Sequence, residues 1–381
     1  MKKHCFGALF RFELLKILKN KVAVATFFIF FAFSLLMGEQ EVSGNIDSKE
    51  MQKYEVLDGR KIDNALVGET LAAMDEFGKI RNGESAAYGP IADWIVDIVG
   101  YGTDGNEITA DYLYERRQTA IEEGYEEMGL SGAEIEYWQA RENRIDKPLE
   151  WKYYMKQWGV IEGMSNVMII MIMVIGLSLS HAFAMETQRK TDPVIRSCVN
   201  GNKELYFAKI LAGCAYCMAV VSIYLFSFLL YVKLRWGFDG MDACIQIVMP
   251  YAQADLSIGQ LALRLAVMLF AATFLLSAAA LLVSELTRNG IASMGIMIGG
   301  YFGLFALGTA IPLQARILSQ IVNWMPGMLV SSKMVYDLRT VRIAGKCLPA
   351  WQFAPGAYMI AGVLILAAGY GFYRKYEIKN Q

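Results

Sequence analysis

Residues 22–38 read VAVATFFIFFAFSLLMG, seventeen residues without a charge. An α-helix rises about 1.5 Å per residue, so this run approaches the ~30 Å of a bilayer's hydrocarbon core. Lysines precede it, as they precede a secretory signal. No small-residue cleavage pattern follows, however, and Phe27, Phe28, Phe30, Phe31 and Phe33 make it bulky throughout. It reads as a retained transmembrane helix. Five further apolar runs work outward from it: 160–184, broken only by Glu162 and His181; 211–232; 256–282, with Arg264 about two turns in; 290–311, ended by Pro312; and 353–373. Composition agrees. Apolar residues make up 55% of the 381 and charged residues 19%, against about 25% charged in soluble domains. The expected fold is an all-α polytopic membrane protein with six transmembrane helices in the lipid bilayer. A net charge of −1 with no basic face speaks against a nucleic-acid partner.

Lysine and arginine set the orientation. Residues 1–21 carry Lys2, Lys3, Arg11, Lys16, Lys19 and Lys21 against Glu13 alone; the tail carries Arg374, Lys375 and Lys379; the segment between spans two and three carries Arg189, Lys190, Arg196, Lys203 and Lys209. Six spans put all three on one side, the cytoplasm, with both termini there. The opposite side receives residues 39–158, which hold 26 of the 37 acids and 13 of the 36 basic residues. This acidic piece reads as a helical extracytoplasmic domain. Residues 106–128 favour helix. Ser131 and Glu134 form a capping box that opens another helix, which runs toward Lys152 with Pro148 as a kink or break. The acidity suits solubility beside anionic headgroups as well as it suits a cationic ligand. The stretch 312–352 also falls outside, although it is basic; 317–322 and 325–330 are apolar enough to dip back into the membrane.

Isolated polar residues leave alternatives open. Glu162 and Arg264 sit toward the outer ends of their spans, where they could pair, line a polar substrate path, or snorkel to the interface. Gly295, Gly299 and Gly303 make a ridge at four-residue spacing, for packing within the chain or for subunit packing. Cys214 and Cys217 form a C-x-x-C inside an apolar span, where cysteine acts as a small hydrophobe. Cys244 and Cys347 could pair outside. Two histidines support no histidine-based metal site.

Two cytoplasmic features carry the functional signal. Residues 10–19, FRFELLKILK, place Phe10, Leu14, Ile17 and Leu18 on one face of a helix, so 1–21 reads as an amphipathic surface helix leading into span one, at 22–38. The second is the charged loop 185–209, punctuated by Pro193 and Gly201. Together they resemble the permease subunits of ABC-2 type ATP-binding cassette transporters. Members begin with an aromatic-x-x-Glu-Leu-x-Lys surface helix, here Phe10, Glu13, Leu14 and Lys16. After span two they show a Glu, a Gly-Thr pair, a basic residue with Ser or Pro, and a Lys opening span three. Glu186, Thr191, Arg196, Ser197 and Lys209 occupy those positions, with Lys190 where glycine is expected. The framework of 1–38 and 160–381 carries the resemblance; a large domain between spans one and two occurs only in some members.

The resemblance implies that Phe12, Glu13, Lys16, Glu186, Thr191, Arg196, Ser197, Lys203 and Lys209 contact a separate ATP-binding subunit, which binds the ATP. It also implies a second permease, identical or related, and a membrane-dipping helical segment within 312–352. The chain has no G-x-x-x-x-G-K-[ST] phosphate loop, so it is expected to be no enzyme and to hold no cofactor itself. The reading is the permease of an ATP-driven exporter, residues 159–381 supplying spans two to six, in a bacterial plasma membrane. The competing reading is a membrane-anchored sensor whose outer helical domain binds a ligand.

Overall fold

The computed structural model describes residues 2–43, 54–75, 79–80, 84–100, 108–191, 194–195 and 203–375. The chain opens with α1 (Lys2–Leu18) and, after a break at Asn20, α2 (Lys21–Ser43). The Asn20 side chain accepts from the Val22 amide at 2.9 Å, which caps α2 and lets the chain turn. Four shorter helices follow: α3 (Asn64–Ala73), α4 (Gly89–Val99), α5 (Ala110–Glu127) and α6 (Gly132–Glu142). Then come α7 (Met155–Leu179), the single-turn α8 (Ala184–Gln188), α9 (Lys203–Arg235), α10 (Ile258–Thr287) and α11 (Gly290–Ala310). Short α12 (Arg316–Asn323) and α13 (Pro326–Leu329) precede a hairpin, β1 (Thr340–Ile343) and β2 (Lys346–Pro349), and α14 (Ala350–Lys375) ends the fold.

Six helices, α2, α7 with α8, α9, α10, α11 and α14, are long and apolar enough to cross a membrane. They coincide with the six runs read from the sequence. This is a multi-pass, helical membrane architecture. α7 is its axis, packed by α2, α9, α10 and α11. Its apolar window is 72% buried, against 17% for α11 and 22% for α2 and α14, whose apolar surface is left largely uncovered by the rest of the chain. Close approach at the axis is set by small residues: the Phe228 ring of α9 fills the space that a Cβ would need at both Gly38 of α2 and Gly163 of α7.

The segment between α2 and α7 packs its own core around Ile62, Leu66, Ile91, Trp94, Ile95, Leu113 and Trp151. Asp63 caps α3 through the amides of Ala65 and Leu66, and Thr109 caps α5. The capping box at Ser131 and Glu134 is present, as its spacing predicts. α6 does not continue toward Lys152. It ends at Glu142, and 149–151 runs extended, with backbone bonds from Gly59 to Trp151 and from Ile62 to Leu149. Pro148 therefore stands in a full break.

The domain is not confined to 39–158. The loop between α9 and α10 completes it: Ile247 enters its core, the Gln246 carbonyl accepts from Trp94 Nε1 at 2.9 Å, and Arg117 of α5 reaches the carbonyls of Pro250 and Ala252. Part of 312–352 joins as well. Trp138 Nε1 donates to the Leu338 carbonyl, and Arg316 and Thr340 meet Glu134. That stretch was expected to be helical. α12 and α13 are, but 340–349 forms the antiparallel hairpin. Ala344 and Gly345 turn it with φ of 49° and 81°, the backbone of a two-residue hairpin loop. Cys244 and Cys347 are both free thiols, so the pairing left open by the sequence does not form.

Candidate functional site

On α1, Glu13 and Lys16 share one face with Ile17, and that face packs on α9. On the other side of the contact stand Glu186 of α8 and Lys209, in the second turn of α9. The four charges meet. Lys209 Nζ lies 2.6 Å from Glu186 Oε1 and 3.3 Å from Glu13 Oε2; Lys16 Nζ lies 2.7 Å from Glu186 Oε1 and 2.8 Å from Glu13 Oε1. The Lys209 side chain is 1% exposed, Glu13 5%, Glu186 9% and Lys16 27%. Lys209 also donates to the Ala182 carbonyl and lies over the Phe183 ring. Two ammonium groups and two carboxylates cancel, and each carboxylate receives both lysines. Charges this deep are tolerated only with such complete pairing. Burial alone would lower the Lys16 pKa, but Glu13 and Glu186 outweigh it and hold the ammonium above its usual range.

The loop closes behind the cluster. Thr191 returns its amide, at 3.0 Å, and its hydroxyl, at 3.3 Å, to the Glu186 carbonyl. Lys190 stands where the resemblance expects glycine, and its φ is 55°. The backbone keeps the left-handed conformation that glycine adopts freely and lysine does not. The turn thus takes a glycine-like shape with a lysine in place.

Phe12 is 58% exposed, beside Lys16, whose ammonium is 4.9 Å above its ring. Phe12, Leu15, Lys16, Lys19, Lys21 and Arg189 line an open groove next to the buried charges. Lys203 is exposed at the start of α9. Arg196 and Ser197 lie outside the described residues. The residues expected to face a partner therefore divide in two. Glu13, Glu186 and Lys209 are turned inward to hold α1 against α8 and α9, while Phe12 and Lys203 are free to face outward and Lys16 spans both. Sequence spacing gave the residue types but not this pairing, because Glu13 and Lys209 are 196 positions apart.

The remaining candidates do not converge on that site. Glu162 and Arg264 do not pair. Glu162 is half-buried on α7 and has no ion pair among the described residues, whereas Arg264 lies 5.4 Å over the Trp351 ring at the start of α14. Gly295, Gly299 and Gly303 point away from the bundle, and a Cβ added at any of them would meet no atom within 4 Å. Among the described residues, nothing packs against that ridge. Two buried ion groups in the domain were missed. Arg117, 1% exposed, forks onto Glu142. Glu134 accepts from Arg316, Ser131 and Thr340; burial alone would raise its pKa, but the guanidinium and these donors bring it down to about 2. Glu134 was legible only as a helix cap.

Comparison with family models, with curated proteins and with solved structures finds no match to this chain in any of the three.

Proposed function

We propose that the chain is the membrane-spanning permease subunit of an ABC-2 type ATP-driven exporter, coupled to a separate ATP-binding subunit. The observation that supports it best is the buried cluster of Glu13, Lys16, Glu186 and Lys209, which ties α1 to α8 and α9. These are the two elements that in such permeases receive the ATPase. A force applied to α1 or to the loop would pass through paired charges into α7, the axis of the bundle, and into α9. The chain has no phosphate loop of its own, so hydrolysis belongs to the partner, and the exposed Phe12, Lys203 and the basic groove would form the docking face. Both termini would then be cytoplasmic, in a bacterial plasma membrane, with the 54–151 domain outside. The outward glycine ridge of α11 fits a second permease, since small residues let two helices approach closely.

The test is affinity purification of the full chain from its native cells in mild detergent, followed by ATPase assay. A stoichiometric P-loop ATPase is expected, and its recovery should fall at least tenfold with Phe12→Ala and Lys203→Glu. Both residues are exposed, so loss of the partner cannot be blamed on unfolding. Recovery of the chain without any ATPase would sink the reading.

A further inference from the structure

At the domain-bearing end of the bundle, Arg264 and Arg141 stand without a carboxylate among the described residues. Arg264 of α10 has the Trp351 ring as its contact, at 5.4 Å, and one of its terminal nitrogens, Nη1, is buried with no acceptor. Arg141 of α6 lies 4.8 Å over the Tyr137 ring. Neither arginine has an ion pair among the described residues, in a protein whose residues 39–158 hold 26 acids. The two arginines stand at the ends of one run of aromatic rings. Trp138 joins the halves, edge-on to Tyr137 at 5.2 Å and to Trp351 at 5.8 Å. Trp351 is 5% exposed, yet its indole N–H has no acceptor, and neither does the Tyr137 hydroxyl proton.

Every unmet group here is a donor. Two guanidinium groups without an ion pair along one run of rings, with three buried donors unpaired, are costly unless an anion completes them. Guanidinium forks match the paired oxygens of a phosphate. The depth fits as well: Trp351 is the second residue of its span and Arg264 lies about two turns into its own, where tryptophan and tyrosine favour the headgroup layer.

We propose that Arg141, Arg264, Tyr137 and Trp351 form a binding site for a phosphate group, of the kind carried by a phospholipid headgroup. The site takes the anion between α6 of the domain and the first turns of α10 and α14. It fastens the domain to the membrane, and it stands independently of the transporter reading.

The experiment uses the full chain in an uncharged maltoside detergent, with the thermal unfolding midpoint followed while short-chain phosphatidylglycerol or inorganic phosphate is added. A saturable rise is expected in the wild type. Arg141→Gln should raise the half-saturating concentration at least tenfold; its side chain is partly exposed and stacks on Tyr137, so the fold survives its loss. Arg264→Lys, which keeps the charge but not the fork, should raise it several-fold. A rise with lipid alone supports the headgroup as the source, and an equal rise with phosphate supports the site with a free anion. No saturable rise with either, or an equal rise in Arg141→Gln, overturns the proposal.

Discussion

Replacing Lys209 with methionine tests whether the four buried charges hold the N-terminal helix. Methionine keeps the length and apolar stem of lysine and removes only the ammonium. What is lost is two charged contacts, at 2.6 Å to Glu186 and 3.3 Å to Glu13, and a bond to the Ala182 carbonyl. What remains is two carboxylates sharing Lys16, a net negative charge in a site where the carboxylates are 5% and 9% exposed. Breaking a buried pair from one side costs about 3–5 kcal/mol. That is roughly two to four powers of ten in the folded-to-unfolded ratio. The assay is SDS-driven unfolding in mixed micelles, read by tryptophan fluorescence, on Lys209→Met, Glu13→Gln and the double variant. Glu13→Gln removes the charge that Lys209 no longer balances, so the double variant should recover about 2 kcal/mol of the loss. A cost below about 1 kcal/mol, or strict additivity of the two changes, would mean that water screens these charges and that they do not fasten α1.

Glu134→Gln should change how stability responds to acid. The folded pKa of about 2 lies below the ordinary 4.5, so this carboxylate's contribution is present above pH 4.5 and is lost as pH falls toward 2. Over that window wild type should lose about 3 kcal/mol that the variant has already lost, as an acid titration of the fluorescence midpoint would show. Lys190→Gly relieves a left-handed lysine and should stabilise the protein by about 1 kcal/mol, measurable in the same micelles. Gly240→Ala should do the reverse by about 3 kcal/mol or more: its φ is 90° and a Cβ would sit 2.7 Å from the Tyr153 carbonyl oxygen. A Cβ at Gly299 meets no described atom within 4 Å, so Gly299→Ala should leave monomer stability within about 1 kcal/mol while cross-linking between copies falls if α11 is a subunit contact.

The spans were the most legible part of the molecule. Lipid admits no charge cheaply, so each crossing leaves an uncharged run that can be read without a partner. The candidate site was legible in residue type alone. Glu13, Lys16, Glu186 and Lys209 could be picked out singly, but which of them face each other depends on how α1 folds back on α9, a tertiary fact. Gly299 shows the same divide: four-residue spacing gives a ridge, whereas its direction is set by the neighbours of α11. Arg117 was hidden because Tyr-Glu-Arg-Arg on a polar helix reads as solvated, and its acceptors come from a loop more than 130 residues away. The hairpin was hidden because each strand is four residues long and its turn is Ala-Gly, where Asn-Gly would have announced it.

The acceptors of Arg117 have a further consequence, in the order of synthesis. When residue 151 leaves the ribosome, the domain's helices exist, but Ile247 and the carbonyls of Gln246, Pro250 and Ala252 do not. About a hundred residues separate the two, which at 5–20 residues per second is on the order of ten seconds. Throughout that interval Arg117 holds Glu142 but not its carbonyls, Trp94 lacks its acceptor, and one wall of the core stands open. The nascent domain must be sheltered or tolerated in that unfinished state while α7 and α9 are threaded. Closing that wall requires that α7 and α9 both be placed first. A chain that mis-inserts either one would present an open, protease-sensitive domain, and the cell could recognise the error before the last helix is made.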